Sequence, residues 1–203
     1  MLGARRGYIR AIALSIGFLP LAGKDILLEF KGAYFHPTET IFKQILEHGA
    51  ALVGPEVTFS VYKNTHWYGF ASVDFLSKKG RSIGLCDETT IHLIPLALGL
   101  KYFIPWCRYD FYLGVGFQPI YIRTRNCSPF VSKISAAWGY GGIAKLGVYI
   151  DLACHIVADI FVDYSFVTST CPAVCQPENG FLLSRKANMN GIIVGVGLGY
   201  RFN

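Results

Sequence analysis

Eleven charged residues stand at alternate positions within otherwise apolar segments: Glu29, Lys31, Glu56, Asp74, Lys101, Asp110, Lys145, Asp151, Asp159, Asp163 and Arg201. On a β-strand, successive side chains point to opposite faces, so these groups share one side of the chain and apolar residues the other. Two kinds of chemistry follow from such a set. Buried charges can neutralise one another in an ion network, which needs both signs and good hydrogen bonding. Alternatively, paired carboxylates beside lysines can pass ions or act as acid and base on a substrate. The network is the stronger expectation, because a small closed barrel has room inside only for side chains. Seven of the eleven are acids, so one or more is expected to be protonated or to lie near an open mouth.

No other constellation announces catalysis. There is no Gly-rich phosphate loop, no H-E-x-x-H helix and no nucleophile elbow. Spaced glycines occur in GVGFQPIYIR and GIIVGVGLG, but on strands and without the helix that a dinucleotide site needs. No cofactor is expected. The six cysteines are Cys86, Cys107, Cys127, Cys154, Cys171 and Cys175. Their spacing gives no zinc site, since Cys171 and Cys175 have no paired histidine. An even number in an exported chain permits disulfides. Cys86, Cys127, Cys171 and Cys175 fall in long connections, Cys107 and Cys154 in short turns.

The elements that must position these residues are strands. In 192–202, Ile192, Val194, Val196, Leu198, Tyr200 and Phe202 alternate with Ile193, Gly195, Gly197, Gly199 and Arg201. Segment 156–166 repeats the pattern, with Asp159 and Asp163 on the second face. Further copies run over 26–34, 53–62, 67–76, 94–102, 109–121 and 140–151. Alternation of this kind predicts eight strands long enough to cross a bilayer when tilted. The gaps between them alternate in length: long at 35–50, 78–89, 123–136 and 169–190, short at 63–66, 105–108 and 153–154. Outer-membrane barrels have short periplasmic turns and longer outer loops, so both termini are expected in the periplasm. Within the first long gap, Thr38 is expected to cap a short helix over 38–47.

Composition agrees. The chain is 52% hydrophobic and 16% charged, with 15% aromatics and 22 glycines in 203 residues. No window after residue 24 offers a spanning helix, and the richest, 91–106, contains Pro95, Lys101 and Pro105. An eight-stranded antiparallel up-and-down transmembrane β-barrel reconciles those facts. Three of the charges behind the net +6 are Arg5, Arg6 and Arg10, followed by an apolar run over 11–21. Residues 1–23 therefore read as a secretory signal segment and 24–203 as the barrel domain. The remaining positive charge is too dispersed for nucleic acid.

The ending GVGLGYRFN resembles the C-terminal strand of small eight-stranded outer-membrane β-barrel proteins, although Asn203 here follows the final aromatic Phe202. The stretches ASVDFLSKKGRSIG (71–84), IHLIPLALGLKYFIP (91–105) and DFYLGVG (110–116) are similar to a family of conserved chlamydial outer-membrane proteins of undefined function. This resemblance implies a place in a bacterial outer membrane and contact with its lipid. It also implies insertion by the barrel-assembly machinery, which reads the strand Ile192, Val194, Val196, Leu198, Tyr200, Phe202. It supplies no catalytic residues. The functional expectation is a structural or adhesin-like barrel that meets an extracellular or host partner through its long loops. A lipid-A-modifying or other lipid-modifying enzyme is the alternative, and a narrow channel the third reading. One lipid-modifying activity of such barrels uses His and Ser two apart on a strand, a pair absent here; His66, His92 and His155 lie near strand ends.

Overall fold

The structure, a computed structural model, describes residues 25–39, 49–61, 65–81, 88–126, 134–171 and 185–202. Every regular element among them is a strand: β1 (Ile26–Pro37), β2 (Ala50–Ser60), β3 (Trp67–Val73), β4 (Leu76–Arg81), β5 (Glu88–Trp106), β6 (Tyr109–Phe117), β7 (Ile120–Asn126), β8 (Ile134–Ala153), β9 (Ile156–Cys171), β10 (Arg185–Asn188) and β11 (Gly191–Phe202). All pairings are antiparallel.

Three pairs of segments are single strands with a two-residue interruption. β3 and β4 meet β5 in one register, Val73 opposite Leu96 and Leu76 opposite Leu93. The break falls opposite Pro95, which has no N–H to give the ladder; the Asp74 N–H still donates to the Pro95 carbonyl at 2.9 Å. β6 and β7 are parted by Pro119 in the same way, and its carbonyl accepts from the Leu96 N–H at 2.9 Å. Between β10 and β11, the Asn190 side-chain oxygen accepts the Val167 N–H at 3.1 Å. The eleven segments thus make the eight expected strands.

They close into a ring. Ile26 pairs with Phe59, Phe59 with Gly69, Gly69 with Leu100, Leu100 with Val115, Val115 with Ala144, Ala144 with Tyr164, Tyr164 with Ile192, and Ile192 with His36. The circuit returns to β1 ten residues beyond its start. A stagger of that size over eight strands corresponds to a strand tilt of about 40°. The outward face is apolar, with Phe30, Leu98, Val115, Leu146, Ile160, Val196 and Leu198 all exposed. Aromatic side chains gather towards both ends, Trp67, Trp106, Tyr109 and Phe202 on one side, Phe75, Trp138, Tyr140 and Phe166 on the other. Such a surface is at home in hydrocarbon, with rings at the headgroup level.

The strands outrun the apolar alternation. β5 starts at Glu88, β7 reaches Asn126, β8 starts at Ile134, and β9 ends only at Cys171. The expected long gaps are shortened accordingly, and Cys171, expected in a loop, is instead the last residue of β9, paired with Arg185. The reason is physical. Alternation marks only strand facing hydrocarbon, whereas Thr89, Thr90, Thr124 and Arg125 keep pairing where the wall rises beyond it. Thr38 donates both its N–H and its hydroxyl to the Asn190 carbonyl, at 2.9 and 3.0 Å. The expected helix over 38–47 falls mainly outside the described residues, as do the signal segment 1–23 and Cys86, Cys127 and Cys175.

At the opposite end the hairpins are tight. Trp106 pairs with Tyr109 across Cys107 and Arg108, and Cys107 takes a φ of 57°, in the left-handed region. Cys107 and Cys154 are both free and exposed there. If this end faces the periplasm, a membrane-impermeant maleimide should modify these two thiols only after the outer membrane is permeabilised. Peptide mapping reads the result, and modification on intact cells would invert the orientation.

Candidate functional site: a charged barrel lumen

The inward face is built in layers. Near the long connections, Phe35, Leu52, Leu76, Leu93, Ile120, Ile122, Val167 and Ile193 form an apolar plug. Below it, the Ser165 hydroxyl donates to the side-chain amide oxygen of Gln118 at 2.5 Å. The ion network follows, and beneath it a stack of rings in which Phe103 lies parallel to Tyr149 at 5.4 Å and edge-on to Tyr68 at 4.5 Å.

The network joins β1, β2, β5, β8 and β9 around Glu56. Three lysines converge on that carboxylate: Lys31 at 2.9 Å, Lys145 at 3.0 Å, and Lys101 in a shorter contact. Lys31 also meets Asp159 at 2.9 Å, and Lys145 meets Asp163 at 2.9 Å. Lys101, with no exposed surface at all, donates to the Tyr149 hydroxyl at 2.7 Å, and that hydroxyl donates to Glu29 at 2.7 Å. The Tyr112 hydroxyl donates to Asp159 at 3.0 Å. Rings cover the lysines as well: the Lys101 ammonium lies 4.4 Å from the Tyr112 ring centre, and the Lys31 ammonium 4.7 Å from that of Phe161. Among the described residues, Glu29 Oε1, Asp163 Oδ1 and Ser72 Oγ are buried without a protein hydrogen-bond partner.

The glycines make this filling possible. A Cβ on Gly147 would collide with the Tyr112 hydroxyl, one on Gly99 or Gly116 with the Phe70 ring, and one on Gly195 with the Phe161 ring. Small and large residues on facing strands thus interlock across a barrel too narrow for rings on every strand.

Not all eleven expected residues belong to this network. Glu29, Lys31, Glu56, Lys101, Lys145, Asp159 and Asp163 do. Arg201 forms a separate group at the mouth nearest the short turns, 3.2 Å from Asp110 and 3.4 Å from Asp151. That mouth is a cavity of about 410 Å³ lined in part by Asp25, His66, Tyr68, Asp110 and Arg201. Asp74, at the interruption after β3, makes no ion pair among the described residues. Parity along each strand indicated which groups face inward. It said nothing of height, which separates Arg201 from the lysines. Tyr112 and Tyr149 were not expected as network members, although their parity already put them on the inward side.

Burying so many charges is costly, and a buried ion network is weak evidence for stability in itself. Its effect is on register. A slip of one residue would turn Glu56 to the hydrocarbon and an apolar neighbour to the lumen. In the terminal strand, Ile192, Val194, Val196, Leu198, Tyr200 and Phe202 all face outwards, and Phe202 closes the ring against Ile26. Above the outward belt, Ser77 on β4 is the register partner of His92 on β5, and both are exposed.

No family model and no curated protein matches the chain. Solved structures do share its fold. The outer membrane protein OprG of Pseudomonas aeruginosa is 14% identical, with 88% of this chain and 96% of that one covered and a TM-score of 0.59. The E. coli Outer Membrane Protein W is 15% identical over 88% and 97%, with a TM-score of 0.54. Ail, the attachment invasion locus protein of Yersinia pestis, in complex with the heparin analogue sucrose octasulfate, is 11% identical over 88% and 97%, with a TM-score of 0.53. With its closed antiparallel ring and apolar outer belt, the chain has the fold of small bacterial outer-membrane β-barrel proteins.

Proposed function

We propose that the protein is a non-conducting outer-membrane barrel that works at the end carrying its long connections, as a rigid base for adhesin-like contact with an extracellular or host partner. The observation that carries this reading is the filled lumen: apolar plug, ion network and ring stack succeed one another along the barrel. A barrel filled in this way offers no aqueous path, which argues against the narrow channel. Its wall continues beyond the apolar belt as paired strand, from the start of β5 at Glu88 to the end of β9 at Cys171. The fold-likeness to Ail, an attachment protein by name, supports the same role. The resemblance to chlamydial outer-membrane proteins of undefined function is compatible with it. The outward row ending in Phe202 fits a strand read by the barrel-assembly machinery.

The test has two arms. In planar bilayers the purified barrel is expected to give no conductance steps, and open-channel currents would overturn the reading. Bacteria displaying the barrel are expected to adhere to host cells, and to lose adherence when 82–87 and 127–133 are replaced by short Gly-Ser turns. Unchanged adherence would remove the loops from the role.

The Ser77–His92 pair favours a second reading, a lipid-modifying enzyme, because it faces outwards where lipid headgroups lie. Among the described side chains, none of the carboxylates is paired with His92 to orient it. Mass spectrometry of lipopolysaccharide incubated with the barrel would reveal a lost or transferred acyl chain.

A further inference from the structure

We propose that the mouth nearest the short turns is a binding site for a small organic cation, one with an ammonium head on an apolar arm. This site is independent of the role proposed for the long connections at the other end of the barrel. Which compartment supplies its ligand follows from the orientation of the barrel; whether it binds does not.

The cavity there has a volume of about 410 Å³, within the usual span of about 300–1,000 Å³ for small-molecule sites. Its inner end is apolar. Leu27 and Phe103, both buried, line it together with the half-buried Tyr68, and the two rings meet edge-on at 4.5 Å. Phe103 is itself stacked on Tyr149 at 5.4 Å, so rings separate the cavity from the ion network. The outer part is charged, lined by Asp25, Asp110 and Arg201. Main-chain bonds hold two of these in place: the Ser60 N–H donates to the Asp25 carbonyl at 3.1 Å, and the Arg201 N–H to that of His155 at 2.8 Å.

The charges at this mouth do not balance. Arg201 is shared between Asp110 at 3.2 Å and Asp151 at 3.4 Å, and all three side chains are partly exposed. Asp25 has no ion pair among the described residues. Three carboxylates thus face one guanidinium, an excess of two negative charges at neutral pH. Arg108 and His155, described basic residues at the same end, do not line the cavity, and the His66 ring lies 5.9 Å from that of the outward-facing Tyr102. The mouth therefore repels anions and attracts cations, and its apolar walls strengthen that field relative to open water. The rings favour the same ligand, because aromatic faces attract ammonium groups within about 6 Å. Their neighbour Tyr112 already covers the Lys101 ammonium at 4.4 Å. Among the described residues no group of three acids, histidines or cysteines is arranged to hold a metal ion. A cationic head on an apolar arm satisfies both halves of the cavity, whereas a hydrated inorganic ion satisfies only the charged one.

The test titrates the full barrel in neutral maltoside micelles with phenethylamine, phenethyl alcohol and phenylpropionate, which share an apolar body and differ in charge. Amide NMR shifts read the binding. The amine is expected to shift Asp25, Tyr68, Phe103 and Arg201 saturably, with a Kd on the order of a millimolar for so small a ligand. The alcohol and the acid are expected to shift them far less. Asp25→Asn is expected to weaken the amine about fivefold, and Asp25→Asn/Asp110→Asn on the order of twentyfold, the scale of partly exposed ion pairs. Arg201→Gln is expected to act in the opposite direction, tightening the amine about fivefold by releasing Asp110 and Asp151. Loss of a merely structural contact would not produce that gain. Heat-modifiability on gels checks that each variant is folded. Asp25 precedes β1 and its carboxylate has no ion pair among the described residues, so Asp25→Asn carries the test if the other variants do not fold. Equal shifts by amine and alcohol, shifts confined to outward residues such as Leu198, or unchanged affinity in folded Asp25→Asn would overturn the proposal.

Discussion

Glu56→Gln is expected to lower the unfolding free energy of the barrel by about 3–5 kcal/mol, the usual cost of removing one partner from a buried ion pair. The carboxylate is the common acceptor for Lys31, Lys101 and Lys145, and all four groups are buried. Glutamine keeps the shape and one acceptor but no charge. Lys31 and Lys145 retain Asp159 and Asp163 at 2.9 Å. Lys101 does not: its remaining acid, Glu29, lies 4.0 Å away and is held by Tyr149. The loss should therefore fall mainly on Lys101. Adding Lys101→Met to Glu56→Gln should recover part of it, since the stranded ammonium is then gone, and the double variant should be less damaged than the two single losses combined. Urea unfolding in lipid vesicles, followed by tryptophan fluorescence, measures each step. A loss below about 1 kcal/mol for Glu56→Gln would mean that the three lysines do not depend on this carboxylate.

Much of this arrangement was legible along the chain, for a definite reason. A strand between hydrocarbon and a packed lumen has two different solvents, so Ile192 to Phe202 and Ile156 to Phe166 spell out their faces residue by residue. That contrast yields strand number and sidedness, and the antiparallel eight-stranded barrel that forms is the expected one. Where the wall leaves the hydrocarbon, the contrast vanishes. From alternation alone the ends of β5, β7 and β9 look like loop, and Cys171 with them. Relations across strands were hidden altogether. Ser77 and His92 are fifteen positions apart and meet only because the β4–β5 hairpin has one register. The return of the ring to His36 depends on all the pairings at once. The same holds for the interior: parity turned Arg201 and Lys101 inwards alike, but only register puts Lys101 against Glu56 and leaves Arg201 at the mouth with Asp110 and Asp151.

Leu198→Arg is expected to destabilise the barrel by about 2–4 kcal/mol in a lipid bilayer, because it puts a guanidinium near the hydrocarbon midplane. Leu198 is 58% exposed on the outward face and lies between Phe30 on β1 and Ala158 on β9. The outward residues of β11 run from Ile192 to Phe202, which at the barrel's tilt covers roughly 25 Å of membrane height, and Leu198 is close to its centre. Depth supplies the control. Phe202→Arg, at the interfacial end of the same row, should cost only about 0–1 kcal/mol for the charge, plus the ring contact that Phe202 makes with Tyr200 at 4.7 Å. Gly197→Arg tests the other face. A Cβ there would already stand 3.2 Å from Lys31 and 3.3 Å from Asp159, so the longer side chain would have to force the network apart. That damage arises from crowding and should persist in thin and thick bilayers alike, whereas the Leu198→Arg penalty should shrink as the bilayer thins and the guanidinium reaches the headgroups. Equilibrium unfolding in vesicles of two acyl-chain lengths separates these outcomes. If Leu198→Arg costs no more than Phe202→Arg at either thickness, this face does not lie against hydrocarbon and the inside-out assignment of the strand is wrong.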